Sequence, residues 1–262
     1  MITATSNKRI KWLVSLNEKS KERKKEGVFL VEGIKMFEEA MDDYIQEAYV
    51  SESFFSKYSE EKEIMAKLKK TSYEIVSDEV FRKISDTKTP QGILCIMKQY
   101  KYTLEDLLKK ENPMFVLLED IQDPGNLGTI VRTAEGAGVD GIIMTRETVD
   151  IYNPKTIRAT MGSIYRMPFI YVDSLKDVIE ILQKNKIFVY AAHLQGKNYY
   201  DSFDFKKGCA FLIGNEGNGL RKETADLADS YLKIPMEGSV ESLNAAIATS
   251  LLMYEAYRQR RS

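Results

Sequence analysis

The chain has 262 residues, of which 44% are hydrophobic and 29% are charged, and its formal net charge is -1. These values are ordinary for a globular protein with one large or two modest domains. No apolar run approaches membrane-spanning length, and the first residues lack the apolar segment of a signal peptide, so we expect a soluble, cytoplasmic protein with no membrane partner.

The first 25 residues are strongly basic, although the chain is nearly neutral overall. They contain eight Lys or Arg residues and two Glu residues, which is a net charge of +6. Such a segment can hold phosphates, but a solvated helix face is the commoner explanation of a charge run. The candidates for phosphate contacts are Lys8, Arg9, Lys11, Lys21, Arg23, Lys24 and Lys25.

The first part of the chain predicts a small α/β unit that ends near residue 98. Helices are expected over residues 7–25 (with Ser6 as the N-cap), 34–41, 54–70 and 78–84. Strands are expected at Val28–Val31, Ala48–Val50, Tyr73–Val76 and Ile93–Met97. We therefore place one domain at residues 1–98 and a polar linker at 99–112.

From residue 113 to residue 262, strands and helices alternate regularly, which predicts a second domain. Short apolar strands are expected at 115–118, 141–144, 169–172, 187–191, 210–213 and 231–234. Helices are expected at 126–137, 154–162, 175–184 and 242–259. Apolar strands that alternate with amphipathic helices indicate a parallel sheet covered on both faces, so the fold class is α/β.

Cysteine and histidine are too few to build a metal centre. Cys95 and Cys209 lie inside apolar runs, and His193 is the single histidine. We expect core cysteines, a reducing compartment and no metal. The glycines between Gly136 and Gly141 match GxGxxG, but a helix precedes them and a strand follows, so they indicate a helix end rather than a dinucleotide site.

A glycine-rich loop follows the strand that ends at Ile213. It has three glycines in six positions, Gly214, Gly217 and Gly219, and one carboxylate, Glu216. Such a loop at the carboxyl end of a strand can fold its backbone around a ligand, because glycine permits close approach. A plain strand-to-helix turn is the alternative.

Two other strand ends carry unusual polar residues. After the first strand of the second domain, Asn126 begins a helix that contains Arg132 among apolar neighbours. After the last strand, Ser242 and Asn244 begin the closing helix. Asn126 and Ser242 have simple explanations as N-caps, and Arg132 as half of an ion pair. Convergence of three strand ends at one sheet edge favours an active site.

The motifs at these strand ends resemble those of the SpoU, or TrmH-like, family of S-adenosylmethionine-dependent RNA ribose methyltransferases. The matching segments are Asn126–Gly128 with Arg132–Ala134, then Ile213–Leu220, then Ile234–Met236 with Ser242–Asn244. The segments Phe29–Gly33 and Thr89–Gly92 resemble signatures of the ribosomal-protein-like α/β domain that often precedes the methyltransferase domain and binds RNA substrate.

The resemblance implies a trefoil-knot methyltransferase domain that forms a homodimer and binds S-adenosylmethionine. It implies that the catalytic arginine is Arg132. Asn126, Glu216, Ser242 and Asn244 are the other candidate catalytic residues; our hypothesis is that Glu216 positions Arg132 or Asn126, and that Ser242 and Asn244 shape the loop and the ribose pocket. The implied cofactor contacts are Ile213, Gly214, Asn215, Glu216, Gly217, Leu220, Ile234, Pro235, Met236, Ser242, Leu243 and Asn244.

The family resemblance implies methylation of a ribose 2′-hydroxyl in structured RNA, with the basic first segment holding phosphates. We expect rRNA as the substrate, 23S rRNA in particular, and tRNA as the second choice. Arginine is a poor general base, which favours Arg132 as a group that orients the hydroxyl or a phosphate and stabilises negative charge, although arginine is also described as the base in this family. A non-catalytic RNA-binding or assembly protein and a small-molecule methyltransferase are the alternatives.

Overall fold

The structure is a computed structural model, and it describes residues 1–261. The backbone divides into two compact units. The first unit comprises residues 1–100 and 150–165, and the second comprises residues 101–149 and the described chain from residue 166. The domain boundaries at residues 98 and 112 were predicted from the sequence, and they stay a prediction.

The first unit contains a four-stranded mixed sheet and seven α-helices. Its strands are β1 (Val28–Glu32), β2 (Ile45–Ser51), β3 (Tyr73–Val76) and β4 (Ile93–Lys98), in the order β1-β4-β2-β3. Its helices are α1 (Lys8–Glu18), α2 (Ser20–Glu26), α3 (Ile34–Glu39), α4 (Glu52–Tyr58), α5 (Lys62–Lys70), α6 (Asp78–Ile84) and, from the later segment, α9 (Pro154–Thr160). The β1-β4 and β4-β2 pairs are antiparallel and the β2-β3 pair is parallel.

The predicted first helix is two helices in the structure. Asn7, not Ser6, is the N-cap of α1, and its side chain accepts a hydrogen bond from the Arg9 amide. At Lys19 the backbone is extended, with φ −120° and ψ 111°, so α1 ends there and α2 begins. The single helix predicted over residues 54–70 was likewise wrong, because α4 and α5 are separated at residues 59–61.

The second unit is built on a seven-stranded sheet whose pairings are all parallel. Its strands are β5 (Met114–Leu118), β6 (Gly141–Thr145), β7 (Phe169–Val172), β8 (Phe188–Ala192), β9 (Asn198–Tyr199), β10 (Cys209–Ile213) and β11 (Ser230–Lys233). Their order in the sheet is β7-β6-β5-β10-β8-β11-β9. The predicted parallel α/β sheet is confirmed; the two-residue strand β9 was not predicted.

Among the described residues, five α-helices accompany this sheet, and α12 is the longest of them. They are α7 (Leu104–Leu107), α8 (Pro124–Gly136), α10 (Leu175–Lys184), α11 (Lys222–Ala225) and α12 (Ala245–Arg260). Side chains of α10, β8 and β10 form one buried core with Phe115 and Leu117 of β5. This core fixes the central strands, and therefore the loops at their carboxyl ends. No helix in the described part of the chain is long and apolar enough to cross a membrane.

Candidate active site at the carboxyl edge of the parallel sheet

Four neighbouring strands, β5, β10, β8 and β11, bring their carboxyl ends to one edge of the sheet. The segments that follow β5, β10 and β11 are the three strand ends at which the sequence analysis predicted an active site. Because parallel strands end at the same edge, residues far apart in the chain meet there. The predicted convergence of these strand ends is therefore observed.

The glycine-rich loop is a tight reversal of the chain rather than an open turn. The backbone groups of Asn215 and Gly219 exchange two hydrogen bonds, of 3.1 Å and 2.9 Å. The Asn215 side chain closes the loop, since its oxygen accepts from the amides of Gly217 and Asn218 at 2.9 Å and 3.1 Å. A Cβ atom on Gly214 would lie 2.2 Å from the Gly219 carbonyl carbon. Only glycine at position 214 allows this close approach.

The carboxylate of Glu216 connects the glycine-rich loop to the loop after β5. It accepts hydrogen bonds from the backbone amides of Gln122 and Asp123 at 3.0 Å and 3.1 Å, and from the Asn126 side chain at 3.0 Å. Desolvation by partial burial raises the pKa of Glu216, but the hydrogen bonds outweigh it, and the pKa is lowered from the usual value. Glu216 is therefore an ionised acceptor that holds two loops together.

Asn126 extends this connection to the third loop. Its side-chain nitrogen donates to Glu216, and its side-chain oxygen accepts from the side chain of Asn244 at 2.9 Å. The oxygen of Asn244 in turn accepts from the amides of Ala246 and Ile247 and caps α12. The hydrogen bonds from Glu216 through Asn126 to Asn244 thus join the three strand-end loops.

Two predicted N-caps are wrong. Asp123, not Asn126, caps α8, and it accepts from the Asn126 amide at 2.8 Å. Asn244, not Ser242, caps α12. Ser242 is exposed, and its hydroxyl makes no hydrogen bond with the residues that the structure describes. Asn126 and Ser242 therefore lose their simple explanation as caps.

Arg132 lies in α8 with an exposed side chain. It makes no hydrogen bond and no ion pair with any residue between positions 1 and 261. The ion-pair explanation of Arg132 therefore has no partner within the described chain. Arg132 lies six residues after Asn126 on the same helix, and its unpaired guanidinium is free to bind an anion or a developing negative charge.

A cavity of about 360 Å³ opens between the loops after β8, β10 and β11. Its walls include ten of the twelve predicted cofactor contacts: Ile213, Gly214, Asn215, Glu216, Gly217, Leu220, Ile234, Met236, Ser242 and Leu243. Pro235 and Asn244 do not line it. Asn126, Ser242 and Asn244 line an adjoining opening with Glu216. The volume falls within the range of small-molecule sites, roughly 300–1,000 Å³.

Glu119 is a site-supporting residue that sequence reasoning missed. Its side chain is 1% exposed and accepts three hydrogen bonds: 2.7 Å from the Arg221 amide, 3.0 Å from Arg221 Nε and 2.5 Å from Thr224 Oγ1. Glu119 thereby anchors the chain immediately after the glycine-rich loop to the end of β5. An acidic residue that directly follows a buried strand was the only available signal.

In the first unit, the basic segment divides into exposed and buried side chains. Lys8, Lys11, Lys21, Lys24 and Lys25 are exposed. Arg23 was a wrong choice for phosphate contact, because it is 2% exposed and fully engaged by protein groups. It donates to the carbonyls of Leu16 and Asn17 and pairs with Asp150 at 2.7 Å. Arg9 is half exposed and contacts Glu47, Tyr49 and Trp12.

Two known protein families match this chain, and their matches agree with the geometry of the candidate site. The profile of the SpoU rRNA Methylase family matches residues 113–254, which is more than half of the chain. The chain belongs to this family. A second profile, the MRM3-like substrate binding domain, matches residues 7–95. The resemblance drawn from the three motifs is confirmed.

Full-length relatives of this SpoU family member include bacterial rRNA methyltransferases. A 23S rRNA (guanosine(2553)-2′-O)-methyltransferase of Bacillus subtilis is 31% identical over 97% of both chains. An uncharacterised tRNA/rRNA methyltransferase of Synechocystis is 32% identical over 99% of this chain and 94% of its own.

Solved structures of SpoU relatives share the whole fold. An AdoMet-bound rRNA methyltransferase from Sinorhizobium meliloti has a TM-score of 0.87 and 33% identity, over 98% of this chain and 97% of its own. The SpoU methyltransferase AviRb from Streptomyces viridochromogenes, in complex with AdoMet, has a TM-score of 0.88 and 27% identity, over 98% of this chain and 99% of its own. The predicted fold class is confirmed; the knot itself stays a prediction.

Proposed function

We propose that this protein transfers a methyl group from S-adenosylmethionine to a ribose 2′-hydroxyl of structured RNA, and that the RNA is 23S rRNA. The observation that carries the proposal is the series of side-chain hydrogen bonds from Glu216 through Asn126 to Asn244, which joins three loops beside a cavity. The helix that holds Asn126 also carries the unpaired Arg132. Family membership and the named reaction of the B. subtilis relative support the chemistry.

The residues of the cavity fit S-adenosylmethionine. Apolar side chains of Ile213, Leu220 and Leu243 suit the adenine ring, and the carboxylates of Glu216 and Glu241 suit a cationic ligand. The tight reversal of the glycine-rich loop lies at the same wall, and it requires glycine at position 214 because a Cβ there would collide with the backbone of Gly219 and Leu220. When bound, S-adenosylmethionine supplies a methyl group that is activated by the positive charge of its sulfonium.

The protein's own residues orient and activate the hydroxyl. Arg132 holds the 2′-hydroxyl or a neighbouring phosphate and stabilises the negative charge that develops on oxygen as its proton passes to solvent water. Glu216 fixes the amide of Asn126, which fixes Asn244, so the three loops keep one arrangement around the reacting groups. A persistently protonated guanidinium suits this electrostatic role better than that of general base.

The exposed lysines of the first unit would hold RNA phosphates, which fixes position but not sequence. The predicted set therefore becomes Lys8, Lys11, Lys21, Lys24 and Lys25, with Arg9 in part. Binding at increasing salt tests this role, because each lost phosphate contact reduces the slope of log K against log salt by about 1. An unchanged slope after Lys21, Lys24 and Lys25 are replaced by Gln would contradict it.

A homodimer through the second unit would cover an apolar stripe on α12. Ile247, Leu251 and Tyr254 are 51%, 37% and 48% exposed and recur at helical spacing on one face. A helix that is apolar on two faces is normally buried on both. Because Arg132 lies on the neighbouring α8, the proposed interface adjoins the proposed active site.

The first experiment is a methyl-transfer assay with tritiated S-adenosylmethionine and total RNA from cells that lack the gene. We expect label in 23S rRNA, in a nucleotide that resists alkaline cleavage because its 2′-oxygen is methylated. Label in tRNA would favour the second substrate class, to which the name of the Synechocystis relative also refers. Cofactor binding without transfer to any RNA would contradict the proposed activity.

A further inference from the structure

A separate cavity of about 320 Å³ lies wholly within the first unit. Its apolar wall is made of Leu30, Met36, Leu94 and Ile157, which are at most 9% exposed. Its polar wall is formed by Glu32, Lys35, Thr87, Thr89, Gln91 and Arg158. An apolar surface edged by amides, hydroxyls and cations fits a flat ligand with a polar edge.

The two sequence signatures of the first unit meet at this cavity. The Glu32 carboxylate accepts hydrogen bonds from the hydroxyls of Ser85 and Thr87, both at 2.7 Å, and from the Asp86 amide at 3.2 Å. It therefore holds the loop that leads into Thr89–Gly92. These contacts tie the end of β1 to the loop before β4, and they lie outside the apolar core of the unit.

Gln91 makes the second connection between the signatures. Its side-chain oxygen accepts from the Ile34 amide at 2.8 Å. A Cβ atom on Gly33 would lie 2.9 Å from that oxygen, and Gly33 has a φ of 107°, so glycine is required there. The Gln91 side-chain nitrogen has no partner among the described residues, which leaves two N–H donors at the cavity.

The segment at residues 150–165 supplies the remaining wall. Arg158 of α9 pairs with Asp86, which presents the guanidinium at the cavity. Met161 also lines the cavity, is 46% exposed and has a left-handed backbone with a φ of 50°. A methionine at such a position offers an adaptable, polarisable surface, and an arginine plane offers a stacking surface.

We propose that this cavity binds one unstacked nucleotide of the RNA substrate. The base would lie against the apolar wall, beside the guanidinium of Arg158 and the thioether of Met161. The free donors of Gln91 and the hydroxyl of Thr89 would meet its polar edge, and Lys35 would meet a flanking phosphate. Sequence-specific RNA recognition uses splayed bases held in this way. The inference rests on the proposed function, which supplies the RNA.

This site has a different task from the exposed lysines of the basic segment. Lysine contacts to phosphate carry no sequence information, whereas a pocket with directed donors discriminates among bases. The cavity is therefore expected to decide which RNA segment is bound, and the basic segment to strengthen binding to any RNA.

The test uses the full-length protein and total RNA from a gene-deletion strain grown with 4-thiouridine. We expect ultraviolet cross-links to map to residues 29–36, 85–92 or 154–161. Binding is measured in parallel for Gln91→Glu, which keeps the acceptor for Ile34 but removes the donors and adds negative charge. Loss of one stacked base corresponds to an increase of about 5- to 140-fold in Kd.

Gln46→Glu is the matched control, because Gln46 is exposed in the same unit and does not line the cavity. We expect its Kd to stay within twofold of the wild type. Arg158→Ala gives a second variant, and melting temperatures exclude unfolding. Cofactor affinity should be unchanged in all variants, since their sites lie in the first unit.

Cross-links confined to other segments, with wild-type Kd for Gln91→Glu and Arg158→Ala, would overturn the inference. Methyl transfer by the same wild-type preparation separates this failure from failure of the proposed function. Normal methyl transfer by the wild type, with unchanged RNA binding by Gln91→Glu and Arg158→Ala, would refute only the proposed binding of a nucleotide in the cavity. Cross-links at the cavity without any transfer would support the binding site and refute the enzyme. A wild-type protein that binds no RNA would refute both.

Discussion

The contact between Glu119 and the chain after the glycine-rich loop gives the sharpest structural prediction. The carboxylate is 1% exposed and accepts three hydrogen bonds from Arg221 and Thr224. In Glu119→Gln the shape is kept, but the charge is lost and the amide nitrogen faces at least one N–H donor. Hydrogen bonds to a charged group contribute about 1.5–3 kcal/mol, and an unpaired buried donor costs about 1–3 kcal/mol.

These terms predict a loss of about 2–3 kcal/mol in the free energy of unfolding of the second unit. At about 2–4 °C per kcal/mol, the melting temperature should fall by about 4–12 °C. The exposed half of the Arg221 ion pair adds little to this figure, because solvent screens it. The loop at Gly214–Leu220 also loses its anchor, so KM for S-adenosylmethionine should rise more than kcat falls.

Calorimetry and initial-rate measurements on two matched variants complete the test. Thr224→Val removes one of the three donors with little change of shape, and it should cost about 1 kcal/mol. Glu223→Gln makes the same chemical change at an exposed site on the same helix, so its melting temperature should be unchanged. A Glu119→Gln protein that has the same melting temperature as Glu223→Gln and the wild-type KM would refute this reasoning.

Three further predictions concern other contacts. Arg23→Met removes the cation that pairs with the mostly buried carboxylate of Asp150, which keeps a hydrogen bond from the Tyr152 amide, and it removes the donor to two helix-end carbonyls. Thermal unfolding should therefore show a loss of about 3–5 kcal/mol, and an unchanged stability would contradict this prediction. Leu251→Glu places a charge in the apolar stripe of α12, and light scattering should report monomers; a variant that keeps the mass of the wild-type dimer would exclude this face. The lowered pKa of Glu216 means that its ionisation stabilises the fold above the unfolded pKa of about 4.3, and that this contribution is lost as the pH falls through the lower folded pKa. The stability difference between wild type and Glu216→Gln should therefore shrink in acid, and a constant difference from pH 7 to pH 3 would contradict this.

The sequence predicted the strands well because each is a short apolar run between polar or glycine-rich segments. Strands β3 and β7 match their predicted bounds, and β5 begins one residue earlier than expected. The alternation with helices was sufficient to predict a parallel sheet. The order of its strands was not predicted, because pairing across the sheet depends on packing between segments far apart in the chain.

Helix starts were harder to predict, since several residues that cap helices well stand close together. Asn7 follows Ser6, and Asn244 follows Ser242 by two positions. All four side chains can accept from a free amide, so residue type alone does not select the cap. The backbone angles and the packing of the first turn decide it.

The candidate site was predicted as a set of strand ends but not as a network. Glycine spacing and Arg132 were visible in the sequence, whereas the hydrogen bonds from Asn126 to Glu216 and Asn244 join residues 90 and 118 positions apart. The burial of Arg23 was missed for the same reason, because its partner Asp150 lies 127 positions away. A basic residue among other basic residues gives no sign of which one is buried.

The most direct test of the account compares Arg132→Ala and Arg132→Lys with the wild type. Each protein is first shown to bind S-adenosylmethionine with unchanged affinity, and methyl transfer to RNA from gene-deletion cells is then measured. Because Arg132 has no structural partner in the described chain, both variants should fold normally. We predict a loss of about 100-fold or more in kcat for Arg132→Ala, with partial activity in Arg132→Lys. Transfer by Arg132→Ala at the wild-type rate would contradict the central claim that Arg132 acts on the ribose hydroxyl.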